Sequence, residues 1–226
     1  MPSKPVAAAA DRPVTLGKAL GPPAEVVTTL MTGTVLARVY TQPAAAPERA
    51  LAFNPNSTGR ASPVANADAG GTLEPALYAA IDSPQGATLE MLHHTVLKRY
   101  RHGGVLPRTA LDNLRLATLE LTAPLSMISI ESLQARGDIT PANFSRPRTD
   151  YADTQAVAQK LYSRYKSASG LLWHSARGPS VVAVLYQSRT PSSAFKLRTA
   201  PVPLMTTDIG DFVAEVLAFH KIVIGA

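Results

Sequence analysis

The chain has 226 residues, 46% of them hydrophobic and 17% charged, which is enough apolar material for one domain with a buried core. It contains no cysteine, which excludes a disulfide framework and a thiolate zinc site. The net charge of +6 suits an anionic partner: nucleic acid, an acidic protein segment or a dinucleotide.

The cations are scattered, and the densest group, Lys98, Arg99, Arg101, His102 and Arg108, has only Tyr100 interleaved. Direct nucleic-acid binding is therefore poorly supported by charge alone. The longest apolar run, near Val181–Tyr186, is strand-sized and far short of the ~18 residues of a membrane helix.

Residues 1–31, rich in Ala, Pro and Thr, read as a flexible lead, partly helical near Ala24–Leu30 and without a signal-peptide pattern. Residues 32–226 read as a single domain. Val35–Tyr40 is a strand. Residues 41–75 are loop-rich, punctuated by Pro43, Pro47, Pro55, Pro63 and Gly70-Gly71, and a loop that long in a compact domain is a functional candidate. Ala76–Ile81 is a second strand.

Ser83 can cap a helix that starts at Pro84 and runs to about Arg99. Leu89, Leu92 and Val96 define its buried stripe, with Glu90 at the edge. Leu114–Leu121 and Leu125–Ile130 are strands. Tyr151–Lys166 carries Val157, Ala158, Leu161, Tyr162 and Tyr165 at helical spacing, with Asp150 as its cap. Leu171–His174 and Val181–Gln187 are strands around Gly178-Pro179. A last helix over Ile209–Phe219 precedes an apolar tail. Without a steady βαβ rhythm, the class is α+β: a mixed, mostly antiparallel sheet with flanking helices.

Four residues carry candidate chemistry. Arg60 follows Gly59 in the long loop, and its guanidinium suits a pyrophosphate. Tyr78, on the second strand, suits a ring or a ribose hydroxyl. Glu90 is the one carboxylate on its helix; partly buried, it needs a partner, for which Arg60 or Arg38 is the expectation. A carboxylate beside a ribosyl C1′ offsets the charge of an oxocarbenium-like transition state, the logic of glycosidases. Ser175 follows a strand without a Gly-x-Ser-x-Gly setting, so a hydrogen-bonding role is expected rather than a nucleophilic one. Glu90 and His93 form a lone Glu-x-x-His, no His-Glu-x-x-His occurs, and no metal is expected; His93 reads as a packing histidine. Neither a Gly-x-Gly-x-x-Gly nor a phosphate-binding Walker loop is present.

The order of these segments resembles the RES-domain family, the toxins of RES–Xre toxin–antitoxin modules. The resemblance rests on Leu36–Tyr40, Phe53-Asn54-Pro55, Gly59-Arg60-Ala61-Ser62-Pro63, Leu77–Ala80, Ala87–His94, Tyr151–Leu161 and Gly170–Arg177, ending near Arg189. It implies an ADP-ribosyltransferase-like fold and an NAD⁺-degrading enzyme that cleaves the nicotinamide–ribose bond by hydrolysis or phosphorolysis. It implies Glu90, Arg60 and Tyr78 as catalytic residues, and Arg38, Arg60, Tyr78 and Ser175 as substrate-binding ones. NAD⁺ is then substrate and no cofactor is needed. The implied partner is an Xre-type antitoxin, through which alone nucleic acid is met, and the implied location is the cytoplasm. Two alternatives share the sequence: ADP-ribose transfer to a cellular protein from the same site, and a non-catalytic basic interaction module. Ala61 departs from the family, many of whose members have an aromatic residue there.

Overall fold

The structure, a computed structural model, describes residues 26–42, 49–56, 59–62, 64–100, 102–139, 144, 151–206 and 208–225. The chain runs through β1 (Val27–Leu30), β2 (Val35–Thr41), β3 (Ala65–Asn66), β4 (Thr72–Leu73), β5 (Ala76–Ile81), α1 (Pro84–Leu92) and β6 (Gly104–Leu106). It continues with α2 (Thr109–Asp112), β7 (Leu114–Leu121), β8 (Leu125–Ser129), α3 (Ile130–Ala135), α4 (Ala152–Arg164), β9 (Gly170–His174) and β10 (Val181–Tyr186). It ends with β11 (Phe195–Leu197), β12 (Val202–Pro203), α5 (Asp208–Phe219) and β13 (Ile222–Ile224).

The main sheet has nine strands in the order β1-β8-β9-β10-β5-β2-β7-β11, with β12 also paired to β7. Its pairs are antiparallel except β8 with β9. β6 and β13 form a separate parallel pair, and β3 with β4 a small hairpin. This is the α+β class the sequence implies.

Period-two alternation explains the layers. In β10, Val182, Val184 and Tyr186 join the core under α3 and α4, whereas Ala183 and Leu185 join a second core with Leu36, Leu77 and Leu119. The sheet is thus apolar on both faces at its centre. A third core seats α1 and α5 on Ala37, Val39 and Ala80, through Leu92, Val96, Val213 and Leu217.

Several expectations are corrected. Val27–Leu30 forms an edge strand on β8, not a helix; the β-branched run Val26-Val27-Thr28-Thr29 favours extended backbone. The lead before residue 26, Pro43, Pro47, Pro63, Arg101 and the expected cap Asp150 lie outside the described residues. The helix after Ser83 is α-helical to Leu92 and then widens into a π-turn over His93–Leu97. Leu89 is half-buried and leaves the main stripe, which Thr88, Leu92 and Val96 form instead. β8 stops at Ser129, whose hydroxyl accepts the Ser132 N–H and starts α3. The apolar tail is β13.

The Ser83 cap and Pro84 start are as the sequence implies: Ser83 Oγ accepts the Gly86 N–H at 2.9 Å. Ser83→Ala is expected to lower stability by about 1 kcal/mol, read as a reduced urea midpoint with unchanged slope.

Candidate active site

A cleft of about 980 Å³ opens on one face of the sheet between α1 and the start of α4. Ala76, Tyr78, Ala80 and Val182 form its floor. Glu90, His94 and Lys98 line one wall at i, i+4 and i+8, and Tyr151 with Gln155 line the other. Among the described lining residues, Glu90 is the one carboxylate, set against the cations Arg38, Arg49 and Lys98. The volume is in the range of small-molecule sites, and the balance of charge favours an anionic ligand.

Glu90 is half-buried, and Ser175 Oγ donates to its Oε1 at 2.5 Å. Strand order dictates this meeting. β5 lies beside β10 and β10 beside β9, with Val182 opposite both Ala80 and Trp173. The helix leaving β5 and the turn leaving β9 therefore emerge side by side. The expected partners of Glu90 are corrected: a serine hydroxyl holds it, while Arg60 influences it through space and Arg38 is engaged elsewhere.

Arg60 is 3% exposed, and its guanidinium lies 5.2 Å from the centroid of the Tyr151 ring, within cation–π range. Burial pulls its pKa below the ordinary value, and Tyr151 and Glu90 act in the opposite sense. Its loop is tied down from several directions. Tyr78 Oη accepts the Ala61 N–H at 2.9 Å and pairs with Ser62 Oγ at 3.0 Å. Tyr186 Oη donates to the Ala61 carbonyl, and Gln155 Nε2 donates to the Gly59 and Ser62 carbonyls. A Cβ at Gly59 would sit 2.4 Å from Tyr78 Oη, so only glycine admits the phenol at this point. That is the physical content of Gly59-Arg60: the glycine makes room for the tyrosine that anchors the arginine's loop.

Tyr78 itself lines the cleft, with Trp173 edge-on to its ring at a centroid distance of 6.0 Å. Arg38 also lines the cleft, but its Nη1 is 3.2, 2.8 and 2.7 Å from the carbonyls of Arg49, Ala50 and Ala52. In this arrangement it organises the cleft's rim. Farther along the same loop, the buried carboxylate of Glu74 accepts from Asn66, Tyr162 and both the hydroxyl and N–H of Ser188.

Tyr151, Gln155, His94 and Lys98 were not picked out by sequence as cleft residues. The signals were present: Glu90, His94 and Lys98 share a helical face, and Gln155 sits one turn after Tyr151. Lys98 faces the cleft, Arg99 stacks on Tyr100 and Arg108 pairs with Asp112, so the basic cluster is divided among separate tasks. Among the described residues, no three His, Cys, Asp or Glu side chains gather as a metal site, and no helix is long and apolar enough to cross a membrane.

Burial pushes the Tyr78 phenol up to about 12. The folded protein keeps it neutral where an unfolded chain ionises it near its ordinary value of 10.0. The stability this provides is complete below pH 10 and is lost as pH rises through about 12. Tyr78→Phe leaves the Ala61 N–H without its acceptor and is expected to cost about 1–3 kcal/mol at neutral pH. The gap to wild type should narrow at pH 11, which urea unfolding at both pH values measures.

A family model for the RES domain matches residues 35–205. Among solved structures, the chain is similar to a chain in the crystal structure of the M. tuberculosis MbcT–MbcA toxin–antitoxin complex. The two are 19% identical, with 85% of this chain and 91% of that chain covered and a TM-score of 0.48. No curated protein matches the chain. The RES model spans well over half of the sequence and includes the strand of Tyr78, the helix of Glu90 and the turn of Ser175, and on that match the chain belongs to the RES-domain family.

Proposed function

We propose that this protein is the toxin of a toxin–antitoxin pair and that it destroys NAD⁺ by breaking the nicotinamide–ribose bond. The observation that carries this reading is the convergence on one cleft of a serine-held carboxylate, a tyrosine on the floor and a buried arginine behind them. Membership of the RES-domain family supports the toxin part.

The chemistry asks little of a general acid. Nicotinamide departs neutral from a cationic glycoside and needs no proton. What the reaction needs is a fixed dinucleotide and a negative charge where positive charge grows at C1′. Glu90 fills that role: Ser175 occupies Oε1, which leaves Oε2 for a ribose hydroxyl or the attacking oxygen. Arg49 and Lys98, which line the cleft, hold the pyrophosphate, and Arg60, buried behind it, adds positive potential. The Tyr78 ring supports the nicotinamide or its ribose. When water attacks, the products are nicotinamide, ADP-ribose and a proton; when phosphate attacks, ADP-ribose-1″-phosphate replaces ADP-ribose. The reaction belongs to the cytoplasm, where the NAD⁺ pool is, and the partner that restrains it is an antitoxin of the Xre type.

Incubating the purified protein with NAD⁺, with and without phosphate, tests this directly. Nicotinamide release with ADP-ribose or its 1″-phosphate is expected; label from NAD⁺ ending on a protein would favour ADP-ribose transfer instead. Intact NAD⁺ after hours at micromolar protein would sink the proposal. Glu90→Gln should keep the melting temperature and KM while lowering kcat on the order of 10²–10³-fold, the scale of one preorganised electrostatic group. In bacteria, expression of the wild type alone should arrest growth and co-expression of its antitoxin should relieve the arrest; normal growth with normal NAD⁺ would contradict the toxin reading.

A further inference from the structure

The turn after β9 lies along one stripe of the Glu90 helix. Ser180 Oγ would be 2.3 Å from a Cβ at Gly86, and Leu89 Cδ1 would be 3.2 Å from a Cβ at Gly178. Ser175 meets Glu90, and Arg177 meets His93. Positions 86, 89, 90 and 93 fall on one face of a helix at i, i+3, i+4 and i+7. The turn is therefore seated against the helix over two full turns.

The polar contacts close a ring. Arg177 Nη2 lies 2.5 Å from His93 Nε2. The Arg177 N–H donates to Ser175 Oγ at 2.9 Å, and Ser175 Oγ donates its one proton to Glu90 Oε1 at 2.5 Å. The Ser175 N–H donates to the Ser180 carbonyl at 2.7 Å, which closes the turn on itself. The covalent helix joins Glu90 back to His93. A hydroxyl has one proton and accepting lone pairs. With a lone pair committed to the Arg177 N–H, the Ser175 rotor is oriented and its proton is aimed at Glu90. Burial, and secondarily the Arg177 charge, depresses His93 to about 4, so at neutral pH its ring is uncharged and accepts from the guanidinium.

We infer that Arg177 and His93 are positioning residues for Glu90: their contact pins the turn to the helix and thereby sets the Ser175–Glu90 hydrogen bond. Neither residue lines the cleft in which Glu90 lies. The effect runs from the His93 ring to the Arg177 side chain, through the Arg177 N–H to Ser175, and so to the carboxylate. This inference rests on the proposed NAD⁺ cleavage for its kinetic consequence, but not for its structural one.

The test is a double-mutant cycle of Arg177→Met and His93→Phe, which keep side-chain bulk and remove the polar contact. Each single variant should lower kcat about tenfold with KM within twofold. The double variant should be no worse than either single one, because both remove the same contact. Arg177→Lys, which keeps a donor, should recover part of the loss. Amide hydrogen exchange of Ser175 and Arg177 should quicken in both single variants, while melting temperatures stay within a few degrees of wild type.

Unchanged kcat in either single variant, or additive losses in the double one, would overturn the inference while leaving NAD⁺ cleavage intact. So would kcat losses that simply follow a falling melting temperature. If the wild type turns over no NAD⁺, the functional proposal fails, and exchange alone decides the positioning claim: unchanged exchange at Ser175 and Arg177 in the variants would refute it.

Discussion

The site depends on one constraint: a carboxylate on a helix must be gripped by a hydroxyl that arrives from a strand remote in sequence. Ser175 and Glu90 are 85 positions apart, yet their oxygens are 2.5 Å apart. The strand order β9-β10-β5 makes this a matter of adjacency. A register slip of one residue between β10 and either neighbour would turn every side chain to the opposite face and separate the pair. β10 is buried on both faces, so such a slip would exchange Val182, Val184 and Tyr186 of one core for Ala183 and Leu185 of the other, overpacking one side and leaving cavities on the opposite one. Hydrophobic burial thus specifies a polar contact at the cleft.

The Arg60 side of the site obeys a different logic. A loop with few apolar residues cannot hold a buried guanidinium by packing alone. Its backbone is instead bound by side chains of defined shape: Tyr78, Tyr186 and Gln155 around Gly59–Ser62, and Gln159 on Ala65. Gln155 and Gln159 are one helical turn apart on α4, so a single helix edge clips two successive stretches of the loop. Each of these groups also satisfies a backbone polar atom that burial would otherwise leave unpaired. Rigidity of this kind is what a site needs when its charges must be in place before the reaction begins.

Much of this was legible in sequence, for identifiable reasons. Long strands with period-two burial, the Ser83-Pro84 start and the apolar stripe of α4 appeared where pattern placed them. The five-residue π-turn at His93–Leu97 was not visible, because hydrophobic spacing hardly distinguishes it from α-helix. Strands of two or three residues, β3, β4, β6, β11, β12 and β13, are too short to show a period. Partial helix near Ala24–Leu30 is an expectation that Val27–Leu30 overturns: pairing with β8 holds this short β-branched segment extended. The roles expected of Glu90, Tyr78, Arg60 and Ser175 came from the order of motifs; the structure puts Tyr78 and Glu90 in the lining of the cleft, Ser175 on Glu90, and Arg60 buried outside that lining. It could not be read from sequence that Glu90 would be met by Ser175 rather than an arginine, since that partner is chosen by strand order. Arg177 and His93 stood inside recognised segments, but their contact exists only once the turn folds over the helix.

The central claim is that this cleft holds NAD⁺ with its nicotinamide ribose at Glu90. A crystal structure of the Glu90→Gln protein soaked with NAD⁺ tests it most directly. The account predicts the nicotinamide ribose within hydrogen-bonding reach of residue 90, its base beside Tyr78 and its pyrophosphate toward Arg60. A dinucleotide bound outside the cleft, or lying with its adenosine at residue 90, would contradict it.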